Sequence, residues 1–133
     1  MRLVLACFAT LLVLPYLLAA CGSVVRKRQL GRVDNLNPRQ QAAQLNSFGQ
    51  RIYAAQQNAW EAIILFAGSL LIAQLAGLDF QLIQIPALLF LATRLVHPVV
   101  YVYGLATLRS LVMAVAWASC IYIVVQAFSQ LSA

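Results

Sequence analysis

The segment RIYAAQQNAWE, residues 51–61, runs directly into AIILFAGSLLIAQLA, residues 62–76. The first part places Arg51, Asn58 and Glu61 seven and three residues apart. On a helix this spacing lines all three along one face within about 80°. The second part is an almost unbroken apolar run. Charges at the edge of a bilayer are tolerated where they face a protein interior or a wet cavity. The polar face is therefore the first candidate for a binding site, and the run behind it the first candidate for a membrane span.

The rest of the chain agrees with a membrane reading. Hydrophobic residues fill 63% of 133 positions and charged ones only 9%, against about 25% charged in a soluble domain. Apolar stretches lie at residues 3–25, 59–76, 83–105 and 107–128, each near the ~20 residues that cross the hydrocarbon core. They lack the ~10-residue apolar and polar alternation of a membrane β-barrel. They also lack the polar face that each helix of a soluble bundle carries. The expected architecture is all-α, a four-helix transmembrane bundle in one domain over residues 1–133. Its helices are expected near 3–25, 48–76, 83–105 and 107–130, with a basic connection at 26–47.

Charge sets the expected orientation. Arg26, Lys27, Arg28, Arg32, Arg39 and Arg51 against Asp34 give +5 of the total +6, all in or just after the first connection. Such loops stay on the cytoplasmic side. The connection after the second helix carries only Asp79, and Arg109 lies near the junction of helices three and four. Both termini are thus expected outside the cytoplasm and connection 26–47 inside it. A basic loop beside a bilayer reads as a topology signal and a contact for anionic lipids rather than a nucleic-acid patch.

Arg2, the apolar run and Leu18-Ala19-Ala20-Cys21 also resemble a lipoprotein signal ending at a lipid-modified cysteine. Cleavage there would export Arg26, Lys27 and Arg28, which the charge rule opposes, so a retained first helix is expected. Cys7, Cys21 and Cys120 have no paired spacing for a metal or redox site, and read as small packing residues. His97 is the only histidine, so no multi-histidine metal centre is expected within one chain. In the connection, Asn35, Asn37, Pro38 and repeated Gln mark turns rather than a packed element. Asn46-Ser47 is placed to cap the second helix.

A second polar constellation lies in TRLVHPVVYVYG, residues 93–104. Arg94, His97 and Tyr101 at i, i+3 and i+7 fall within about 60° on one helix face, and Pro98 frees a backbone carbonyl one turn earlier. A buried arginine demands a partner. Glu61 is the only acid inside an apolar segment, so charge alone suggests an ion pair of Glu61 with Arg94 or Arg109. Such a pair could serve a ligand site or simply lock helix two to its neighbours.

Taken in order, Arg51, Asn58-x-x-Glu61, Arg94-x-x-His97-x-x-x-Tyr101 and Arg109-Ser110 resemble the membrane-associated proteins of eicosanoid and glutathione metabolism, the MAPEG family. The likeness runs from about Asn37 to Gln126, roughly two thirds of the chain. It implies a compact, bacterial-type member in the inner membrane, a homotrimer that binds glutathione between subunits near the cytoplasmic side. On that resemblance Asn58 and Glu61 contact glutathione, with Glu61 suited to its amino group. Arg51 and Arg94 supply positive charge, His97 and Tyr101 line the same cavity, and Arg109 or Ser110 stabilises the thiolate. The chemistry is coherent, since a thiol reacts as its anion and a nearby guanidinium favours that form.

The chain departs from the family pattern at Ala54, Gln57 and Ala106, where glutathione-using members often carry further cations. Each lost charge-assisted hydrogen bond removes ~1.5 to 3 kcal/mol of anion binding. Three functions therefore stand after the sequence. The first is a glutathione transferase or peroxidase-like enzyme acting on lipophilic electrophiles from the bilayer. The second is a non-catalytic protein binding a lipid or amphiphile in the same cleft. The third is a structural membrane subunit whose polar face joins helices.

Overall fold

A computed structural model describes residues 1–131. The elements in order are α1 (Arg2–Leu30), α2 (Pro38–Ala43), α3 (Ser47–Leu75), α4 (Gln84–Val102) and α5 (Ala106–Leu131). Four of them, α1, α3, α4 and α5, are long and apolar enough to cross a membrane.

Each long helix turns a stripe at i, i+3 and i+4 spacing inward. In α1 the stripe is Val4, Cys7, Leu11, Pro15, Gly22 and Arg26, and in α5 it is Ala116, Ser119, Cys120, Ile123 and Ala127. The inward face of α3 includes Ala55, Ala59, Ala62, Ser69 and Ala73, small residues that let helix backbones approach closely inside a bilayer. Phe66 fills the centre, stacked on Phe90 of α4 with centroids 4.5 Å apart, and Phe8 of α1 packs against it at 6.2 Å. Ser69 and Ser119 satisfy their hydroxyls on carbonyls of their own helices, Leu65 and Val115. The outward faces carry Ile64, Leu71, Ile85, Val99, Leu111 and Ile121, a surface suited to lipid tails.

The helix ends differ from the sequence reading. The first helix continues past residue 25 to Leu30 and stops at Gly31, whose φ of 75° a side chain would resist. The third apolar helix stops at Val102, three residues short of expectation. Its end closes with Gly104 N–H on Tyr101 O and Leu105 N–H on Val100 O, a Schellman-type stop with Gly104 at φ 74°.

The first connection is also more structured than its turn-forming residues suggest. Pro38 opens the short helix α2, where its missing N–H costs nothing. Gln41 of α2 is buried, accepting from Asp34 N–H at 2.8 Å and donating to Arg32 O at 2.8 Å. Arg26 is only 6% exposed. It donates to Ser23 Oγ, Asp34 O and Gln41 Oε1 at 3.2 to 3.4 Å, with the Tyr53 ring 5.7 Å away. One residue counted among the topology charges is thus also the post around which the connection folds. The N–H groups of Asn37 and Leu36, with Arg32 nearby, hold the Asp34 carboxyl below its usual range. Asn46 caps α3 through Gly49 N–H at 3.1 Å and pairs reciprocally with the Gln29 amide.

Candidate functional site

The polar residues gather at the end of the bundle where α3 begins and α4 meets α5, and they form two clefts. In the first, Arg51 Nη1 donates to Val102 O at 3.3 Å, occupying a carbonyl that α4 leaves free at its C-terminus. A Cβ at position 104 would stand 2.6 Å from Arg51 Nη1, so Gly104 serves both the turn and the arginine. Arg109 lies over the Tyr101 ring at 4.8 Å, a cation–π contact that fixes its direction. Arg51, Tyr101, Gly104, Ala106 and Arg109 line a cleft of about 200 Å³ with two guanidiniums and no acid in its wall.

The second cleft, about 160 Å³, lies one to two turns deeper among Asn58, Glu61, Phe90, Arg94, Met113 and Trp117. Arg94 is 3% exposed. Nη1 donates to Asn58 Oδ1 at 3.1 Å, and Nη1 and Nη2 both reach Met113 Sδ at 3.2 Å. Phe90 lies beneath, 5.6 Å from the guanidinium carbon, and Arg94 Nε has no partner.

This corrects the expected ion pair. Asn58, not Glu61, receives Arg94, and the Arg109 cation faces Tyr101. The Glu61 carboxylate instead accepts from Asn58 Nδ2 at 3.4 Å and Gln57 Nε2 at 3.3 Å, both beyond the usual 2.7 to 3.2 Å. Asn58 therefore links a buried cation to an exposed carboxylate without bringing them into contact. A thioether is a weak acceptor, so Arg94 is a desolvated cation with one good acceptor and an idle donor. Glu61, exposed on an otherwise apolar helix face, keeps capacity for a stronger donor such as an ammonium. Together the groups offer complementary contacts to a zwitterion that also carries further anionic groups.

The remaining sequence candidates fall differently. His97 is 3% exposed and meets the Tyr101 ring edge at 5.4 Å, packed behind the basic cleft rather than in its wall. Ser110 Oγ donates to Ala106 O at 3.1 Å, tied to its own helix and outside the cleft lining. Arg51, Asn58 and Glu61, expected on one face, divide between two clefts because Arg51 turns toward the α4–α5 junction. Sequence reasoning missed Met113, although it stands one turn after Arg109, and missed Gly104, whose signal was a glycine beside the junction.

Ligand clefts usually enclose ~300 to 1,000 Å³, and each of these falls short. No curated protein and no solved structure matched the chain. The MAPEG family model matches residues 3–129, nearly the whole sequence. With four helices suited to crossing a bilayer, this is an integral, multi-pass membrane protein, and the chain belongs to the MAPEG family.

Proposed function

We propose that this protein is a glutathione-dependent transferase or peroxidase-like enzyme acting on lipophilic electrophiles that arrive through the bilayer. The observation that carries the reading is the Arg94–Asn58–Glu61 relay, which presents an under-paired cation and an exposed carboxylate at the edge of an apolar surface. The family supplies the expectation of glutathione, and the residues fit it. Glu61 suits the ligand's ammonium, Arg94 and Arg51 its carboxylates, and Arg109 its sulfur. The exposed Glu61 face and the two undersized clefts support completion of the site by a neighbouring subunit of a homotrimer.

Glutathione supplies a thiol nucleophile. Arg109, aimed by the Tyr101 ring, favours loss of the thiol proton to solvent by stabilising the anion. The sulfur lone pair then forms a bond to the electrophilic carbon while the leaving group departs with its bonding pair. Trp117, Met113 and the apolar outer faces admit the lipophilic partner. The net charge of +4 over residues 26–47 supports a cytoplasmic side for that connection, where the thiol is available, with both termini across a bacterial inner membrane. Ser110, bonded to its own helix, is the weaker of the two thiolate candidates.

The test is glutathione titration of purified protein in mild detergent, with ultraviolet absorbance reading the thiolate. Binding with thiolate formation and turnover of a lipophilic electrophile is expected, and Glu61→Gln should keep the assembly while losing binding. Lipid or amphiphile binding without thiolate would favour the non-catalytic reading, which the absence of cations at Ala54 and Ala106 supports. Normal binding in Glu61→Gln and Glu61→Ala would remove Glu61 from the site.

A further inference from the structure

Met113 stands in the wall of the second cleft, one turn of α5 before Trp117. Nη1 and Nη2 of Arg94 both point at its sulfur, each at 3.2 Å. A thioether satisfies such donors poorly. Arg94 is 3% exposed, its only oxygen acceptor among the described residues is Asn58 Oδ1, and Nε is idle. A buried cation short of acceptors is therefore held against a sulfur that could be made into a better one.

That sulfur is reachable. Met113 is partly buried, whereas Cys7 and Cys120, the sulfurs of the core, are each 2% exposed. The wall around Sδ is chiefly apolar, with Leu65, Phe90, Ala116 and Trp117, and Trp117 is exposed on the outward face of α5. Met113 lies seven residues past the start of α5, a rise of ~10 Å, so its approach runs beside apolar helix surface rather than through the polar junction.

We propose that Met113 is a modification site, oxidised to the sulfoxide by hydroperoxides dissolved in the bilayer, and that the sulfoxide oxygen caps Arg94. A sulfur lone pair attacks the terminal oxygen of the hydroperoxide, the O–O bond breaks, and its bonding pair leaves on the alkoxide oxygen. The proton on the newly bound oxygen then passes to that alkoxide. The hydroperoxide is reduced by two electrons to an alcohol, and the thioether is oxidised by two to a sulfoxide. Arg94 N–H groups, already beside the sulfur, receive the charge of the departing alkoxide and then the polar S–O oxygen. Methionine oxidation ordinarily puts a polar group into apolar packing and disrupts it; here the oxygen meets a cation with an unpartnered donor. The oxygen transfer does not rest on glutathione chemistry. Its consequence for the ligand does, because a capped Arg94 has fewer donors left for a carboxylate.

The test adds cumene hydroperoxide, which partitions into bilayers, to the protein in vesicles and follows by peptide mass spectrometry the oxygen gained at each methionine. Met1, the chain's other methionine, is the reference. Met113 should be converted in wild type, and Arg94→Leu should slow that conversion by ~10-fold or more, the equivalent of one charge-assisted hydrogen bond, with Met1 unaffected. Oxidised wild type should keep or raise its thermal midpoint, while oxidation of Arg94→Leu should lower it. If Arg94→Leu does not fold, the wild-type midpoint decides together with Met113→Gln, whose amide oxygen stands in for that of the sulfoxide and should match the oxidised protein. An unmodified Met113 beside a converted Met1, equal rates with and without Arg94, faster conversion by hydrogen peroxide than by cumene hydroperoxide, or a midpoint lowered by oxidation of wild type would overturn the proposal. Glutathione affinity should fall by ~10-fold on oxidation. A protein that does not bind glutathione before oxidation would sink the ligand reading and leave the sulfur chemistry standing.

Discussion

Replacing Arg94 by methionine separates a packing role from a ligand role. Removing the guanidinium gives up its hydrogen bond to Asn58 Oδ1 at 3.1 Å, a charge-assisted bond of ~1.5 to 3 kcal/mol. It also relieves the placement of a charge in the membrane-spanning part of α4, for which insertion measurements give ~2.5 to 3.5 kcal/mol. The contacts with Met113 Sδ and the unpartnered Nε add little, and methionine retains most of the side-chain volume over Phe90. These terms cancel to within about 1 kcal/mol, so Arg94→Met should unfold within a few degrees of wild type. Glutathione affinity should fall by ~10- to 150-fold, the equivalent of one charge-assisted bond to a carboxylate. Thermal unfolding in mild detergent and calorimetric titration of glutathione provide the two readings. A stability loss above ~3 kcal/mol would make Arg94 structural and refute the cancellation, and unchanged affinity would remove it from the site.

Gly22→Ala should cost ~1 to 3 kcal/mol, because the new Cβ would stand 2.8 Å from Tyr53 Cζ. In a Tyr53→Ala background that cost should disappear, and its persistence would contradict the α1–α3 contact. Arg109→Ala should slow turnover by ~10- to 150-fold at neutral pH, with the deficit shrinking as pH rises above the free-thiol value of about 8.5. A deficit independent of pH would assign Arg109 to something other than the thiolate. The Asp34 carboxyl titrates lower in the folded protein than in the unfolded chain, so its contribution is fully present above about pH 4 and fades as pH falls through the folded value. Proteolysis of the 31–37 connection should therefore stay slow from pH 7 to pH 5 in wild type and be faster throughout in Asp34→Ala. A wild-type increase within that window would point to a different titrating group.

The spans were legible because lipid exposure demands apolar residues on nearly every outward position, and runs of that length have no other home. The ends were less legible. Gly31 and Gly104 stop their helices through positive φ, and an isolated glycine beside apolar residues gives only a weak sign of this. Arg26 has a second role that the sequence conceals for a physical reason: its place in a basic cluster matches a topology signal, and only the fold of α2 shows that Gln41 and the 31–37 backbone surround it. Charge arithmetic paired Arg94 with Glu61, yet the register between α3 and α4 presents Asn58 instead. Three residues along a helix rotate the side chain by about 60°, enough to turn a contact pair into a relay, and register is set by Phe66 on Phe90 rather than by charge.

The division into two clefts then acquires a meaning through distance. Arg51 and Glu61 lie ten residues apart on α3, a rise of ~15 Å; an extended tripeptide spans at most ~10 to 11 Å, and the reach of the two long side chains toward each other closes the remainder. A ligand of that length can place its ammonium at Glu61 and a terminal carboxylate near Arg51, leaving its central thiol on the Arg109 side of the α4–α5 junction. Neither cleft needs to hold the whole molecule, which agrees with volumes of about 160 and 200 Å³. The surface between them is α3 itself, exposed at Gln57 and Glu61. A ligand lying along it stays wet unless a second surface covers it. In the proposed trimer that cover is the neighbouring subunit, which would exclude water from the sulfur while leaving the bilayer side open to the electrophile.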